Sequence, residues 1–301
     1  MLLFLAAIPP LLWASINHVD KYAVDRFMKG REAGSLVIFT GIAGLLVAIL
    51  LHLVGAPSSV PFLYAIPMLA AGTMLVLSYV PYLYALEHDE ATNIAPLFQL
   101  VAPLAYLSAL VFLHERVQVS QLAAGGVIFL GALVLSFDFK RTRIKAKSFF
   151  LMLLTSFMIA LNVVMFKSFA LSTDFWTSVY YDVLGAAIAG AILFLVISSY
   201  RTSFIGAIRE HKYKVVLINM YAELLNIFAR MINCFVALTL SIAVVQFING
   251  LQPLFILILG IVFTKFTPQY VKEAVDRKAL IQKGVAIALM ISGLALLSFF
   301  V

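Results

Sequence analysis

Charge is scarce in this chain of 301 residues. Charged residues make up 12% of it and hydrophobic residues 63%, whereas an average soluble domain carries about 25% charge. The only cysteine, Cys234, excludes an intramolecular disulfide. The sequence also lacks a glycine-rich phosphate loop, an HExxH motif and a Cys/His cluster, so we expect no cofactor, no metal site and no enzyme. Together these features exclude a soluble enzyme and a disordered chain, and they predict an all-α polytopic membrane protein.

Ten apolar segments are long enough to cross a bilayer, since a spanning helix needs about 20 mostly apolar residues. The predicted spans are 2–24, 34–54, 61–86, 92–113, 118–137, 148–170, 175–199, 214–239, 242–264 and 279–300. No basic residue precedes the first apolar stretch, so we expect span 1 to be retained and not cleaved as a signal peptide.

The basic residues predict the orientation. Loops after spans 1, 3, 5, 7 and 9, counted with the adjoining span ends at Lys21, Lys214 and Lys283, hold 18 of the 21 Lys and Arg residues. Because Lys and Arg accumulate in cytoplasmic loops, these loops are expected in the cytoplasm and both termini outside. The net charge of +7 therefore reflects membrane topology and does not indicate a nucleic-acid partner. We expect a multi-pass protein of a prokaryotic cytoplasmic membrane.

An internal repeat divides the chain. At an offset of 150, Asn93–Pro103 aligns with Ala243–Pro253, and spans 5 and 10 share a glycine-rich pattern. The predicted units are a first repeat at 1–138, a basic linker at 139–147 and a second repeat at 148–301. Five spans is an odd number, so the second repeat enters the bilayer from the opposite side. Inverted repeats around a midplane site are a common plan of secondary transporters.

The order of short motifs resembles the EamA family of the drug/metabolite transporter superfamily. The motifs are Trp13 with Asn17, the tyrosine-rich end of span 3 at Tyr82–Leu86, the mid-span prolines, and Glu115 followed by Gly125, Gly126 and Gly131. This resemblance implies two inverted five-helix repeats and export of a small metabolite, amino acid or drug. Relatives are drawn with cytoplasmic termini, contrary to the charge count. The second repeat differs in having Lys265 in place of Glu115 and a nine-residue insert within 266–277, for which an interfacial helix is a candidate.

Polar residues inside the spans are the candidate functional residues, because intramembrane charge is costly. Span 8 carries a stripe with spacings of 4, 3, 4 and 3, which places its members on one helix face: Asn219, Glu223, Asn226, Arg230 and Asn233. The stripe predicts a cavity lining, and interhelical bonding is the alternative. Glu223 and Arg230 are separated by about 10.5 Å along the axis, so other partners are expected. We expect Asp182 to pair with Arg230, and Lys167 with Glu223.

Further polar residues extend this candidate cavity. The full predicted set is Asn17, His18, Gln99, Asn162, Asp182, Asn219, Glu223, Asn226, Arg230 and Asn249, with Glu223 and Asp182 as candidates for ion coupling. Pro103 and Pro253 predict helix kinks that free backbone carbonyls near the midplane. The amides beside these prolines have two open interpretations, which are satisfying those carbonyls or contacting substrate.

The favoured function is secondary transport of a small solute by alternating access, with spans 1–4 rocking against spans 6–9. The expected partners are a small-molecule substrate and the lipid bilayer, and the oligomeric state stays open. The alternative is an integral-membrane enzyme acting on a lipid or isoprenoid, for which Glu87–Glu90 is the candidate cluster. A solvated turn is the favoured interpretation of that cluster. A passive channel fits the predicted repeat plan less well.

Overall fold

The chain forms a bundle of helices. The computed structural model describes residues 2–27, 33–88, 94–136, 145–266 and 277–300, and no strand occurs in those ranges. In chain order the helices are α1 (Leu2–Phe27), α2 (Val37–Leu53), α3 (Phe62–Leu77), α4 (Tyr79–His88), α5 (Val101–Phe112), α6 (Val119–Ser136), α7 (Ala146–Ser172), α8 (Phe175–Val196), α9 (Ser198–His211), α10 (Tyr213–Thr239), α11 (Ile242–Asn249), α12 (Gln252–Phe266) and α13 (Arg277–Ser298). Two 3-10 helices, Ala33–Leu36 and Ala95–Leu100, precede α2 and α5.

The predicted fold class is confirmed. Within the described ranges, nine apolar helical segments have the length and composition to cross a membrane. A shorter apolar helical segment, Pro96–Phe112, corresponds to the predicted span 4. The chain is therefore an all-helical, multi-pass integral membrane protein, and its helices account for the ten predicted spans.

Three spans are interrupted, each four residues before a proline. Proline has no N–H, and its ring clashes with the carbonyl of the residue four positions earlier. Accordingly α3 ends at Leu77 before Pro81, and α11 ends at Asn249 before Pro253. In span 4 the corresponding residue before Pro103 is Gln99, which lies at the end of the 3-10 helix Ala95–Leu100. The expected kinks are thus breaks, and Pro103 and Pro253 lie in the first turn of the helices that follow.

The helices of the two halves are interleaved. The pairs α6 with α13, α2 with α8, and α5 with α11 join equivalent spans of the two predicted repeats. In addition α1 packs on α10 and α12, and α7 packs in the equivalent way on α3, α4 and α5. An approximate two-fold axis between the repeats would produce this pattern. Spans 1–4 and 6–9 are therefore not two separate bodies, and the expected rocking of one set against the other does not match the packing.

Glycines bring span 7 against spans 2 and 3. A Cβ added to Gly72 would overlap the carbonyl oxygen of Asp182, and one added to Gly185 would overlap that of Leu69. Gly41 and Gly190 likewise meet at their Cα atoms. Small residues permit such close backbone approach in membrane bundles, where packing and not hydrophobicity drives association.

Helix α9 was not predicted. The sequence interpretation leaves residues 200–213 as a loop, but the structure forms Ser198–His211 into a helix. It buries Tyr200, Phe204 and Ala207, which recur at intervals of four and three, and the Phe204 ring centroid lies 4.9 Å from that of Phe39. That spacing is an amphipathic signal, although it is short. We call the end of the bundle that carries α9 the basic side, and the other end the opposite side.

Some predictions fall outside the described residues. The insert within 266–277 lies almost wholly outside them, and so does most of the basic linker at 139–147. Asp89 and Glu90 of the alternative enzyme cluster also lie outside them. His88, from the same turn, has its Nε2 2.7 Å from Lys147 Nζ, and its carbonyl accepts from Lys145 Nζ at 2.5 Å.

Candidate functional site

Asp182 lies in a satisfied network between four helices. Its Oδ2 accepts from Arg230 Nη2 in an ion pair, as the sequence predicts. Its Oδ1 accepts from Asn162 Nδ2 at 3.0 Å, and the same amide donates to the Ala71 carbonyl at 3.1 Å. Asp182 and Asn162 are both 2% exposed. Because both carboxylate oxygens are used, the geometry favours a structural role for this pair over substrate contact.

Glu223 has a different environment. Thr40 Oγ1 donates to Glu223 Oε1 at 2.8 Å, whereas the buried Oε2 accepts no hydrogen bond. The prediction that Lys167 pairs with Glu223 is wrong, because the Lys167 ammonium lies 2.5 Å from Glu115 Oε1. A buried carboxylate oxygen without a donor is costly to leave unsatisfied. Glu223 is therefore the member of the span 8 stripe that is most open to a ligand or a proton.

Asn226 lies one turn away from Glu223, beside two aromatic residues. Trp13 Nε1 donates to Asn226 Oδ1 at 2.9 Å, across 213 residues of sequence. The Tyr79 hydroxyl lies near the Asn226 side chain and within electrostatic range of Glu223 and Asp20. Tyr79 is not among the candidate residues that the sequence indicates. We call Trp13, Thr40, Tyr79, Glu223 and Asn226 the Glu223 group.

The space beside the Glu223 group is small. A void with room for about one water molecule is lined by Thr40, Gly44, Val183, Ala186, Asn226, Ile227 and Arg230. A site that engulfs a small molecule usually needs about 300–1,000 Å³. The described residues thus hold the group in a closed arrangement.

Toward the basic side, α1 adds two exposed polar residues. Asn17 donates to the Trp13 carbonyl at 2.9 Å, and its side chain is exposed. Asp20, one turn further along α1, is also exposed and lies within electrostatic range of Tyr82. These residues extend the polar path from the Glu223 group toward the basic side.

The remaining predicted residues lie elsewhere. Asn249 Nδ2 donates to Asn233 Oδ1 at 2.9 Å and to Gln246 Oε1 at 3.2 Å, beside the break between α11 and α12. Gln99 lies close to that break, since its Oε1 would be 3.8 Å from a Cβ added to Gly250. The Asn249 amide nitrogen is therefore bonded within spans 8 and 9, whereas the buried Asn249 Oδ1 accepts no hydrogen bond.

Two more predicted residues bond to backbone. Asn219 donates to the Val215 carbonyl of its own helix at 2.7 Å. His18 Nε2 lies 3.3 Å from the Ile256 carbonyl and so links α1 to α12. The ten predicted residues therefore divide into several groups and do not line one cavity.

A charged bridge closes the opposite side. Lys167, near the end of α7, contacts Glu115 and donates to the Leu240 carbonyl at 2.9 Å. Glu115 Oε2 accepts from the Ile242 amide at 2.9 Å, at the start of α11. This Glu115–Lys167 bridge joins the loop after span 4, the end of span 6 and the turn between spans 8 and 9. The pairing could not be read from the sequence, since Glu115 and Lys167 lie in different repeats.

Asp174 holds a second connection on the opposite side. It is the N-cap of α8, accepting from the Thr177 amide at 2.9 Å and the Thr177 hydroxyl at 2.6 Å. Ser58 Oγ also donates to it at 2.9 Å. Partial burial raises the pKa of Asp174, but the hydrogen bonds from Thr177 and Ser58 outweigh this and hold the pKa below its ordinary value.

Comparison with known proteins supports the family. Residues 1–137 match the family model described as the EamA-like transporter family. The family resemblance is confirmed. EamA-like proteins are transporters, so this match to the first part of the chain points to a membrane transporter of the drug/metabolite type. The match covers the predicted first repeat and stops close to its end at residue 138.

The likeness to solved structures extends further along the chain. One crystal structure, described only as that of a protein, superposes with a TM-score of 0.67 and 13% sequence identity. The alignment covers 99% of this chain and 96% of that one, so it includes spans 6–10. At this identity the likeness shows the fold alone. A search among curated proteins found no match.

Proposed function

We propose that this EamA-like protein is a secondary active transporter that exports a small metabolite, amino acid or drug-like solute by alternating access. The observation that carries this proposal is the unpartnered Oε2 of Glu223, in a polar group between spans 1, 2, 3 and 8. An orphaned carboxylate oxygen near the middle of a bundle is a site for a ligand or a proton.

The two ends of the bundle differ in a way that supports alternating access. On the opposite side, the Glu115–Lys167 bridge and the Asp174 contacts tie several spans together. On the basic side, Asn17 and Asp20 are exposed next to the Glu223 group. The bridged end, the closed Glu223 group and the exposed polar residues at the other end correspond to an occluded state of a transport cycle, which opens toward the basic side when the solute enters.

Proton coupling is assigned to Glu223 and not to Asp182. Asp182 neutralises Arg230, so its protonation would leave a buried guanidinium unpaired, at a cost of about 3–5 kcal/mol. Glu223 has one oxygen held by Thr40 and one oxygen free to accept a proton. The predicted orientation places the basic side in the cytoplasm, both termini outside, and the protein in a prokaryotic cytoplasmic membrane.

Transport in proteoliposomes tests this function. A mass-detected panel of metabolites is offered with and without a pH gradient to the wild type and to the Glu223→Gln and Glu210→Gln variants. Glu210 is a matched control because its side chain is 60% exposed on α9. We expect gradient-driven transport in the wild type and in Glu210→Gln, and loss of the response in Glu223→Gln. Full gradient-driven transport by Glu223→Gln would remove Glu223 from the coupling role.

The orientation has its own test. A reporter that is active only in the cytoplasm is fused after Val301. We expect no activity, because the charge distribution places the C-terminus outside. An active reporter would reverse the proposed orientation.

A further inference from the structure

The charges around the Glu223 group do not balance. Four charged side chains come together here from α1, α8 and α10: Asp20, Asp182, Glu223 and Arg230. Arg230 is neutralised by Asp182. Glu223 and Asp20 form no ion pair with any other described residue. Glu223 and Asp20 therefore contribute acidic groups that no described ion pair neutralises, which favours a cationic ligand.

The position of the free carboxylate oxygen is fixed. Thr40 donates to Glu223 Oε1, so the carboxylate is oriented while Oε2 stays buried and unpartnered. An ammonium group offers three N–H donors and a positive charge, and both satisfy such an oxygen.

The surrounding groups favour an organic cation over a metal ion. Trp13 is held by its hydrogen bond to Asn226, one turn from Glu223, and Tyr79 lies near the same side chain. Aromatic rings attract organic ammonium groups through their faces. Hard metal cations instead need a cage of about six oxygen ligands. The described residues of the Glu223 group supply fewer oxygens than that, and Thr40 already donates its hydroxyl proton to Glu223.

Arg230 indicates which amines would fit. A zwitterionic amino acid needs a cation for its carboxylate, but the guanidinium of Arg230 is engaged by Asp182. Lys167 is engaged by Glu115 and by the Leu240 carbonyl. A solute with an ammonium group and no carboxylate matches this arrangement better.

We propose that the transported solute is an organic amine whose ammonium group binds Glu223, with Asp20 attracting it from the basic side. This proposal rests on the transport function proposed above and narrows its substrate class from metabolites in general to protonated amines.

Trp13 provides a direct reporter of binding. The chain has two tryptophans, so Trp176→Phe leaves Trp13 as the only one. Three ligands of similar shape are titrated against this variant while its fluorescence is followed: phenethylamine, phenylalanine and 3-phenylpropionate. We expect phenethylamine to bind at least about tenfold more tightly than the other two, the scale of one hydrogen bond to a charged group.

Variants in the same background locate the site. We expect Glu223→Gln to weaken phenethylamine binding by about tenfold or more, since the charge-assisted bond is lost. Asp20→Asn, an exposed position that folding tolerates, is expected to weaken it several-fold, and Glu210→Gln is expected to leave it unchanged. Thermal shift on phenethylamine addition is the second measurement, and it does not depend on Trp13.

The outcomes separate this inference from the transport function. Three results would each overturn the amine assignment. The first is that phenylalanine or phenylpropionate binds as tightly as phenethylamine. The second is that folded Glu223→Gln and Asp20→Asn keep the wild-type affinity for phenethylamine, and the third is that millimolar Na⁺ competes with it. The absence of both a fluorescence change and a thermal shift with phenethylamine would also overturn it. If proteoliposomes carry an uncharged solute while no amine binds, the amine assignment is overturned and transport stands. If phenethylamine binds but no solute of any class is carried, the amine site is supported and the transport function fails.

Discussion

The Glu115–Lys167 bridge leads to a prediction about which end of the protein opens. Glu115→Gln removes the negative charge but keeps an oxygen that can accept from the Ile242 amide. Lys167 then retains the Leu240 carbonyl as its described partner, in a side chain that is 10% exposed. If the bridge closes the opposite side, weakening it raises the population of states in which that side is open.

The size of the effect follows from the lost contact. A hydrogen bond to a charged group contributes about 1.5–3 kcal/mol. If losing this hydrogen bond destabilises only the state in which the opposite side is closed, the ratio of open to closed molecules rises by about 10- to 150-fold. This follows because 1.4 kcal/mol corresponds to a factor of ten. Lys167→Met removes the other half of the bridge and is expected to act in the same direction.

The native thiol measures this change. Cys234 is the only cysteine, is 3% exposed, and borders a void shared with Asp182 and Arg230. It lies five residues, or about 7.5 Å along the axis, before the end of α10, and the bridge contacts the Leu240 carbonyl just beyond that end. A membrane-impermeant maleimide added on the opposite side should label Cys234 in Glu115→Gln faster by the factor given above, provided that opening and closing are fast relative to labelling.

Two controls make the result decisive. Glu210→Gln, at an exposed site on α9, should label at the wild-type rate. The double variant Glu115→Gln/Lys167→Met should label no faster than the faster single variant, because both single changes remove the same interaction. An unchanged labelling rate in Glu115→Gln that still melts cooperatively would show that the bridge does not hold this end closed.

Three further predictions concern stability, each measured by thermal unfolding in detergent. Asp182→Asn should destabilise the fold by about 3–5 kcal/mol because it leaves the buried guanidinium of Arg230 unpaired, and a smaller loss would contradict the described network. Gly72→Ala should lower the free energy of unfolding by about 1–3 kcal/mol, because its Cβ would overlap a backbone carbonyl. Gly126→Ala is the control and should not lower stability, because its Cβ meets nothing within 4 Å. Equal melting temperatures of the two variants would refute the close packing at Gly72. The pKa of Asp174 is lower in the folded state, so this carboxylate stabilises the fold above its unfolded pKa of about 3.8, and that stabilisation is lost as the pH falls through the folded pKa. Asp174→Asn should remove this loss of stability at acid pH. A variant whose stability still falls with pH as the wild type does would contradict the role of Asp174.

The fold was largely predictable because lipid imposes a simple rule. Each span needs a long apolar run, and the breaks near Pro81, Pro103 and Pro253 follow from the missing N–H of proline. Helix α9 was missed because its apolar residues are few and its length is below that of a span. The spacing of Tyr200, Phe204 and Ala207 indicates an amphipathic helix. The basic residues around them indicate a loop more strongly, so the segment is interpreted as a loop from the sequence alone.

The site was predictable in its residue types and less so in its pairings. The Arg230–Asp182 pair could be predicted because both lie deep in adjacent spans. Lys167 was assigned to Glu223 on charge alone, yet its true partner, Glu115, comes from a loop whose position depends on how the repeats interleave. The number of residues between two side chains in one sequence does not indicate whether they meet in the fold. Tyr79 was missed for a related reason, since the break at Ser78 places α4 inside the bundle and not at the membrane surface.

The interleaving of the helices also constrains how the protein is made. Span 1 finds its neighbours in spans 8 and 9, and its hydrogen bond from Trp13 is to a residue synthesised 213 positions later. At about 5–20 residues per second, span 1 waits roughly 10–40 s in the bilayer before Asn226 exists. During that time Asn17 and His18 must be tolerated by lipid, by water at the interface or by an insertion factor. A ribosome that stalls between spans 7 and 8 would therefore leave span 1 without the helices it packs on, and such intermediates are the ones we expect quality-control proteases to remove.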